Sequence, residues 1–262
     1  HKARVKNAKD SLASVLRDEG WDEAEITSHL DRFFDDYWLR FETHIHIEHA
    51  HFMSRSDAKG ERLSVDHKTD AFTAVTELTI LAPNHPRLLS LFAGACLSVG
   101  ADIVGAQITS TRDGVALDTF LLQREFDQDD DEKRRCERIR DAIERYLKGE
   151  ARVQKVLSDR RTEHRLEAFT VNSRAEVNNN LSDHYTVIEV SGRDRSGLLY
   201  ELTSELSDLS LDISSAHIST FGEKVVDVFY VTDLTGRKVD SESRQAEISR
   251  RLVAIVEIDN DT

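Results

Sequence analysis

The sequence predicts an α+β protein: two βαββαβ units, antiparallel sheets with helices on one face, preceded by a helical segment. Three observations carry this prediction. The stretch Phe72 to Gln123 returns as Asp183 to Thr232, so that Ile188 stands 110 residues after Leu78. An internal repeat means that one supersecondary unit is built twice. Within each copy, apolar residues switch from a strand period to a helix period and back. Each copy also carries a turn signal between its last two strands, Arg112-Asp113-Gly114 in the first and Phe221-Gly222-Glu223-Lys224 in the second.

In chain order, the 262 residues, 39% hydrophobic, suit two small domains plus extra helix. Residues 1–70 read as mainly helical. Val5, Leu12, Val15 and Leu16 form one stripe. After the break at Gly20, Ile26, Leu30, Phe33, Phe34, Tyr37 and Trp38 form a thicker one. These helices show no core of their own size and are expected to pack against a neighbouring domain, leaving apolar surface here. The cluster His44, His46, His49 and His51 includes a pair three apart that shares a helix face. With no cysteine beside it, it reads as a surface or domain-packing helix and not a metal site. Ser54 to Lys68 reads as a polar connector with one short edge strand. The chain opens on His1 and not Met, which suggests a fragment or a processed chain.

The first repeat, placed at 71–180, begins with a strand in which Leu78 and Ile80 share a face. Pro83 and Pro86, the chain's two prolines, stiffen the turn that follows. Leu88, Leu89, Phe92, Cys96 and Val99 have the spacing of one apolar helix face. Ile103, Ala106 and Ile108 mark the second strand, and 115–120 (Val-Ala-Leu-Asp-Thr-Phe) the third. Ile139, Ile143 and Leu147 mark a charged helix over 129–148, whose acidic start and basic continuation suit the helix dipole. A fourth strand is expected at 168–171. The triplet Asn178-Asn179-Asn180 reads as linker.

The second repeat, 181–262, matches position by position. Ile188 and Val190 lie in its first strand, and Leu198, Leu199, Leu202, Leu206 and Leu209 on its helix. Ile213, Ala216 and Ile218 mark its second strand, 224–229 (Lys-Val-Val-Asp-Val-Phe) the third, and Ile248, Leu252 and Ile255 its last helix. A weak fourth strand falls at 256–258. Asp118 and Asp227 match between the copies within strands.

Bulk properties narrow the function. Lys plus Arg is 35 against 49 Asp plus Glu, a net charge of −14. That disfavours nucleic acid and anionic membrane, both of which need basic surface. No stretch approaches a transmembrane span and no signal peptide is evident. Two cysteines without metal-site spacing fit free thiols in a reducing cytoplasm. An RNA-binding module of the same element order is disfavoured by charge and by the lack of a Lys/Arg-Gly-Phe signature. No phosphate-binding loop, Gly-x-Ser-x-Gly, His-Asp phosphohydrolase dyad or nucleotidyltransferase Gly-Ser with carboxylates is found, so no catalytic centre is expected within these residues.

The βαββαβ order with a [Gly/Ala]-x-[Asp/Asn]-x-x-x-Leu-Leu turn resembles the ACT domain, a ferredoxin-like module that binds amino acids. The second copy carries the likeness further, with Gly192-Arg193-Asp194-Arg195-Ser196-Gly197-Leu198-Leu199-Tyr200, Ala216-His217-Ile218 and Val226 to Val231. With Tyr37-Trp38-Leu39 and 114–120 of the first copy, the whole chain resembles the C-terminal part of the bifunctional uridylyltransferase/uridylyl-removing enzymes. Those enzymes modify the nitrogen-regulatory PII protein. Ser196 departs from the family's usual Pro at this turn.

The resemblance implies a regulatory region that senses glutamine, preceded by an HD-type catalytic domain, in an enzyme acting on PII in the cytoplasm. It implies no cofactor in this stretch and magnesium for the parent's catalytic domains. An ACT-type amino-acid-binding region of another enzyme is the alternative. Asn84 and Asp194 stand at the place of helix N-caps, where free N–H donors and the helix dipole suit a carboxylate. Asp102 and Asp212 each follow their turn residue by 18 positions, at the start of the second strand. Carried over residue by residue, the resemblance makes Asn84, His85, Arg87, Asp102, Asp194, Arg195, Gly197 and Asp212 the ligand-binding candidates.

Overall fold

Four helices open the chain in the computed structural model, which describes residues 2–70, 72–150, 152 and 172–257. They are α1 (Lys2–Asp18), α2 (Glu23–Asp31), α3 (Asp35–Arg40) and α4 (Thr43–Lys59). The first repeat follows as β1 (Ser64–Asp70), β2 (Val75–Pro83), α5 (Leu88–Ser98), β3 (Ile103–Ser110), β4 (Val115–Gln123) and α6 (Asp129–Leu147). The second is β5 (Arg174–Asn178), β6 (Thr186–Arg193), α7 (Leu198–Asp208), β7 (Leu211–Phe221), β8 (Lys224–Asp233) and α8 (Glu242–Val256). By contacts the chain forms two units. One comprises His1–Asp66, Ile80–Asn84 and Thr109–Asp118, the other His67–Thr79, His85–Ile108 and Thr119–Thr262.

The strands are ordered β1-β2-β4-β3-β7-β8-β6-β5. The repeats meet where β3 and β7 run antiparallel, with Gly105 opposite Ser219, Ala106 opposite Ile218 and Gln107 opposite His217. The helices of the second unit pack in the row α6, α5, α7, α8. Helix α5 is buried on more than one face, including Ser90, Ala93 and Ala95 besides Leu88, Leu89, Phe92 and Cys96, because it lies between α6 and α7.

The outer strands differ from expectation. Each precedes its repeat: β1 lies beside β2, and β5 pairs antiparallel with β6, with Val177 opposite Ile188. Of the expected positions, 168–171 lie outside the described residues, and at 256–258 Val256 is still helical. Short links decide it. Only residues 71–74 separate β1 from β2, and consecutive strands joined by short links pair with their neighbour. Strand β1 therefore begins the sheet from within 1–70, and β5, before residue 181, is built into the second repeat.

Two further corrections concern the N-terminal segment. The stretch read as a connector begins as helix, because α4 runs to Lys59 and is closed by Gly60 in the left-handed region (φ +64°), and its expected edge strand is β1 from Ser64. The helices also have a core of their own within the first unit. Leu12, Leu16, Phe33, Trp38 and Met53 are buried there together with Leu81 of β2 and Leu117 of β4. Apolar residues from the strand ends, remote in sequence, complete what the helices alone lack.

A buried network anchors α6. The Glu132 carboxylate accepts from Thr76 Oγ1 (2.7 Å), the N–H groups of Glu125 and Phe126 (2.8 Å each) and Arg135 Nη2 (2.9 Å). Burial pushes Glu132 up, but these donors outweigh it and hold the group below the usual carboxylate range. An acidic helix start that looked merely dipole-complementary thus contains a core ion pair.

Candidate functional site

The turn between β6 and α7 is built by three constraints. Antiparallel pairing of β6 with β8 ends at Arg193 opposite Lys224, and the Asp194 N–H donates to the Glu223 carbonyl (2.8 Å). Gly197 then begins α7 at φ +85°, a conformation that favours glycine. A Cβ at Gly197 would also lie 3.1 Å from Leu97 Cδ2 of α5, so the turn approaches the first repeat closely. Gly192, whose bare backbone suggested room for a ligand, has that room filled. A Cβ there would lie 1.9 Å from Val256 Cγ1 of α8.

Neither Asn84 nor Asp194 caps a helix. The residues flanking α5 and α7 are Arg87 and Gly197, and no side chain caps either helix. The intervening turns place Asn84 and Asp194 before the position from which a side chain bonds the second or third helical N–H. Asn84 instead donates its N–H to the Gly114 carbonyl (2.9 Å) and its Nδ2–H to Ser110 Oγ (3.1 Å), bracing the hairpin tip in the first unit.

The charge of Asp102 acts on Asp194 across the repeats. Partial burial raises the Asp194 carboxyl, the Arg195 N–H offsets this in part, and the charge of Asp102, exposed before β3, raises it further. Asp102 thus acts on the turn of the other repeat. Asp212 is half-buried, and burial raises it too. Arg195 is committed elsewhere. Its guanidinium donates to both Glu201 oxygens (3.0 and 2.5 Å) and to the Ile255 carbonyl (3.0 Å), clamping the turn to α7 and α8.

In the other turn, Arg87 pairs with Asp208 at the end of α7 (2.5 Å), and Ser207 Oγ donates to the Pro86 carbonyl (3.0 Å). His85 Nδ1 accepts from the Arg87 N–H (3.3 Å), and burial holds its imidazole below the usual range. Each turn in the second unit therefore touches the helix or loop of the opposite repeat: Gly197 at Leu97, Arg87 at Asp208. Glu201 and Asp208 were not singled out from sequence, and Ile255 only as an apolar position of the last helix. Glu201 sits six residues after Arg195, a separation with no helical or strand rule behind it.

Two matched strand carboxylates complete the picture. Asp118 is 1% exposed and accepts from the Thr109 N–H (3.3 Å); Asp227 is 2% exposed and accepts from the Ser219 N–H (3.4 Å). Burial pushes them up to about 8 and about 7 respectively. Among the described residues no group of three or more His, Cys, Asp or Glu is arranged to hold a metal ion, and His49 of the N-terminal cluster is paired instead with the Tyr37 hydroxyl (3.0 Å). Open cavities of about 410 and 600 Å³ lie along α6 and around Arg32 and Arg112, and neither is lined by a residue of the two strand-to-helix turns.

The βαββ frame thus sets two matched strand-to-helix turns beside the opposite repeat, the second of them carrying the Asp194 carboxylate. Residues 181–257 match the family model described as the ACR family N-terminal ACT domain. This segment is an ACT domain. The first repeat shares its element order, so the chain is a tandem of such units behind four helices. Over 256 residues the chain is 49% identical to the bifunctional uridylyltransferase/uridylyl-removing enzyme of Rhodopseudomonas palustris, covering 97% of this chain and 27% of that protein. The chain thus spans about a quarter of its relative's length. The crystal structure of aspartate kinase from Synechocystis is 12% identical, with a TM-score of 0.36, over 70% of this chain and 28% of that one. No helix among the described residues is long and apolar enough to cross a membrane.

Proposed function

We propose that this chain is the glutamine-sensing regulatory region of a bifunctional enzyme that uridylylates PII and removes the uridylyl group. The observation that carries the reading is the 49% identity sustained over 256 residues, helices and both repeats together, with a protein of that name. Glutamine signals nitrogen sufficiency by favouring one arrangement of the ACT pair, which suppresses uridylylation and permits its reversal. A ligand shifts such an equilibrium only by its differential affinity for the two states. The catalytic domains, an HD-type hydrolase domain among them, and the magnesium they use belong to the remainder of the parent protein. The setting is cytoplasmic.

The Asp194 turn is the favoured ligand site, with main-chain N–H groups for the carboxylate and Asp194 with Asp102 for the ammonium. His85, Arg87 and Asp212 are the candidates for a second. Expected affinity is weak, with Kd on the order of 0.1 to 1 mM, as suits an abundant metabolite. A thermal-shift panel of the twenty amino acids tests the reading: glutamine at about 100 times Kd stabilises by about 2.7 kcal/mol. The purified chain is expected to neither transfer nor remove UMP. A panel in which glutamine shifts nothing rejects the ligand, and turnover by the chain alone rejects its purely regulatory role.

A further inference from the structure

In the second repeat α8 covers one face of the sheet. A Cβ on Gly192 would meet Val256 of α8, so Gly192 and the residues that alternate with it along β6 face the helix. In register with β8, Gly192 stands opposite Val225, Val190 opposite Asp227 and Ile188 opposite Phe229, and these three partners are buried. The alternate residues of β8, Val226, Val228 and Tyr230, therefore face the other way, where they are half-buried.

Register extends this outer face across five strands. Val228 lies between Glu189 of β6 and His217 of β7, both exposed. Beyond them, Glu176 of β5 stands opposite Glu189, and Gln107 of β3 opposite His217. The row thus has two carboxylates on one side of an apolar centre and two N–H donors on the other. Glu176 and Glu189 are like charges directly opposed across antiparallel strands, a destabilising pair. Arg174 serves Glu176. Among the described residues, the side chains of Glu189 and His217 have no hydrogen-bond or ionic partner. On the same face, at the end of β7, Phe221 is 67% exposed opposite Lys224.

We propose that this face docks on a second copy of the chain, with the two-fold axis parallel to β8. Such an axis stacks the sheets and exchanges the two sides of β8. Each Glu189 carboxylate then accepts from the partner's His217, and each Glu176 from the partner's Gln107. Val226, Val228 and Tyr230 meet their own copies along the axis. Arg193 of β6 stands opposite Lys224, so Phe221 comes over the partner's Arg193, where a guanidinium suits a ring face. Lys224 meets its own copy at the exposed end of the strand, where both ammonium groups reach water. An axis across the strands would instead set Glu189 on itself. Stacked sheets cross at about 30° with strands about 4.8 Å apart, so a side chain one strand from the axis is displaced by only about 2.4 Å. A surface that matches itself about one strand is what an isologous contact requires, and a foreign partner would need no such symmetry.

Sedimentation equilibrium of the 262-residue chain tests this, at about 0.15 M salt so that the net charge of −14 is screened. The expected result is a concentration-dependent dimer. Glu189→Lys sets two donors against each other and His217→Glu two carboxylates, and each should raise the dimer Kd at least tenfold. Mixed in equal amounts, the two variants pair the new Lys with the new Glu on one side of the axis and the native Glu189 with His217 on the other. The mixture should associate as tightly as the parent, a result that no pairing within one chain can give. A parent chain still monomeric at about 100 μM overturns the proposal. So does a dimer that neither variant weakens, or a mixture as weak as its components. If either variant does not fold, Val228→Arg replaces it by setting two guanidinium groups on each other at the axis, and parent-like association of that variant overturns the proposal. No amino acid is present in these measurements, so their outcome is separate from that of the glutamine reading.

Discussion

Asp194 is the residue on which the ligand reading turns, and the structure changes what its removal means. As it caps no helix, Asp194→Ala should cost little stability, within about 0.5 kcal/mol as for surface positions without special roles. Glutamine affinity should fall by about 1.5 to 3 kcal/mol, roughly ten- to hundredfold, if the carboxylate holds the ammonium. Calorimetry on the folded variant, with Asn84→Ala as the matched control, checks this, and unchanged binding moves the site off this turn. Asp118 yields a second prediction. Burial lifts its native carboxyl to about 8, while an unfolded aspartate titrates near 4. Between those values the native state binds more protons, so this contribution is complete below about pH 4 and is lost as pH rises through 8. Asp118→Asn should therefore lessen the decline in urea-derived stability between pH 5 and 8.5 by at least about 1.4 kcal/mol, one pKa unit's worth. An identical decline in both proteins would show that Asp118 is already ionised.

Elements in this chain are held by a few tight points. Val256, in the last turn of α8, occupies the space that a Cβ on Gly192 would need, and Arg195 ties the same turn of α8 to α7 through the Ile255 carbonyl. Valine is short and stiff, so Gly192→Ala must move the helix end and not merely a side-chain tip. The expected cost is about 1 to 3 kcal/mol, read as a lower urea midpoint with an unchanged m-value. A variant as stable as the parent would mean that α8 docks loosely. Helix limits were legible where local chemistry sets them, as with α6, expected over 129–148 and found at Asp129–Leu147. Of the outer strands, β1 was legible only as a short edge strand within 54–68 and β5 not at all, because both owe their place to the neighbours they pair with. Strand β1, with His67 and Lys68 on an edge, has little apolar alternation to announce it.

At the scale of the molecule, the first unit should be acid-sensitive. His29 and His49 are 5% and 6% exposed, and burial chiefly, then Arg32 for His29 and His46 for His49, lowers both to about 4. An unfolded histidine titrates near 6.5. The unfolded state therefore binds more protons between 4 and 6.5, and stability from keeping these rings neutral is complete above 6.5 and lost as pH falls toward 4. Each contributes up to about 3 kcal/mol. Fluorescence should show buried Trp38 reddening over that window, before the second repeat loses its β-sheet signal. Emission unchanged down to pH 4 would show that the cluster accepts protons without opening. This cluster also explains how the helices bury Phe33, Tyr37 and Trp38, of which Phe33 stacks on Tyr37 while the other contacts, with one another and with the histidines, are edge-on or tilted.

The sequence by itself determined the repeat, the helix and strand faces, the hairpins and the identity of both turns. All of these rest on residues within one element or on self-similarity, and periodicity reports them without a fold. Only the tertiary structure decided that the charge of Asp102 acts on Asp194, that Arg195 is spent on Glu201 and Ile255, and that Leu81 and Leu117 complete the helical core. It also decided that Asp118 and Asp227 are buried. Each of these joins residues far apart in the chain or depends on what covers a strand, and no local spacing encodes such contacts. The cross-repeat contacts exist because antiparallel pairing of β3 with β7 sets the two repeats side by side, so that each turn in the second unit also meets the other copy.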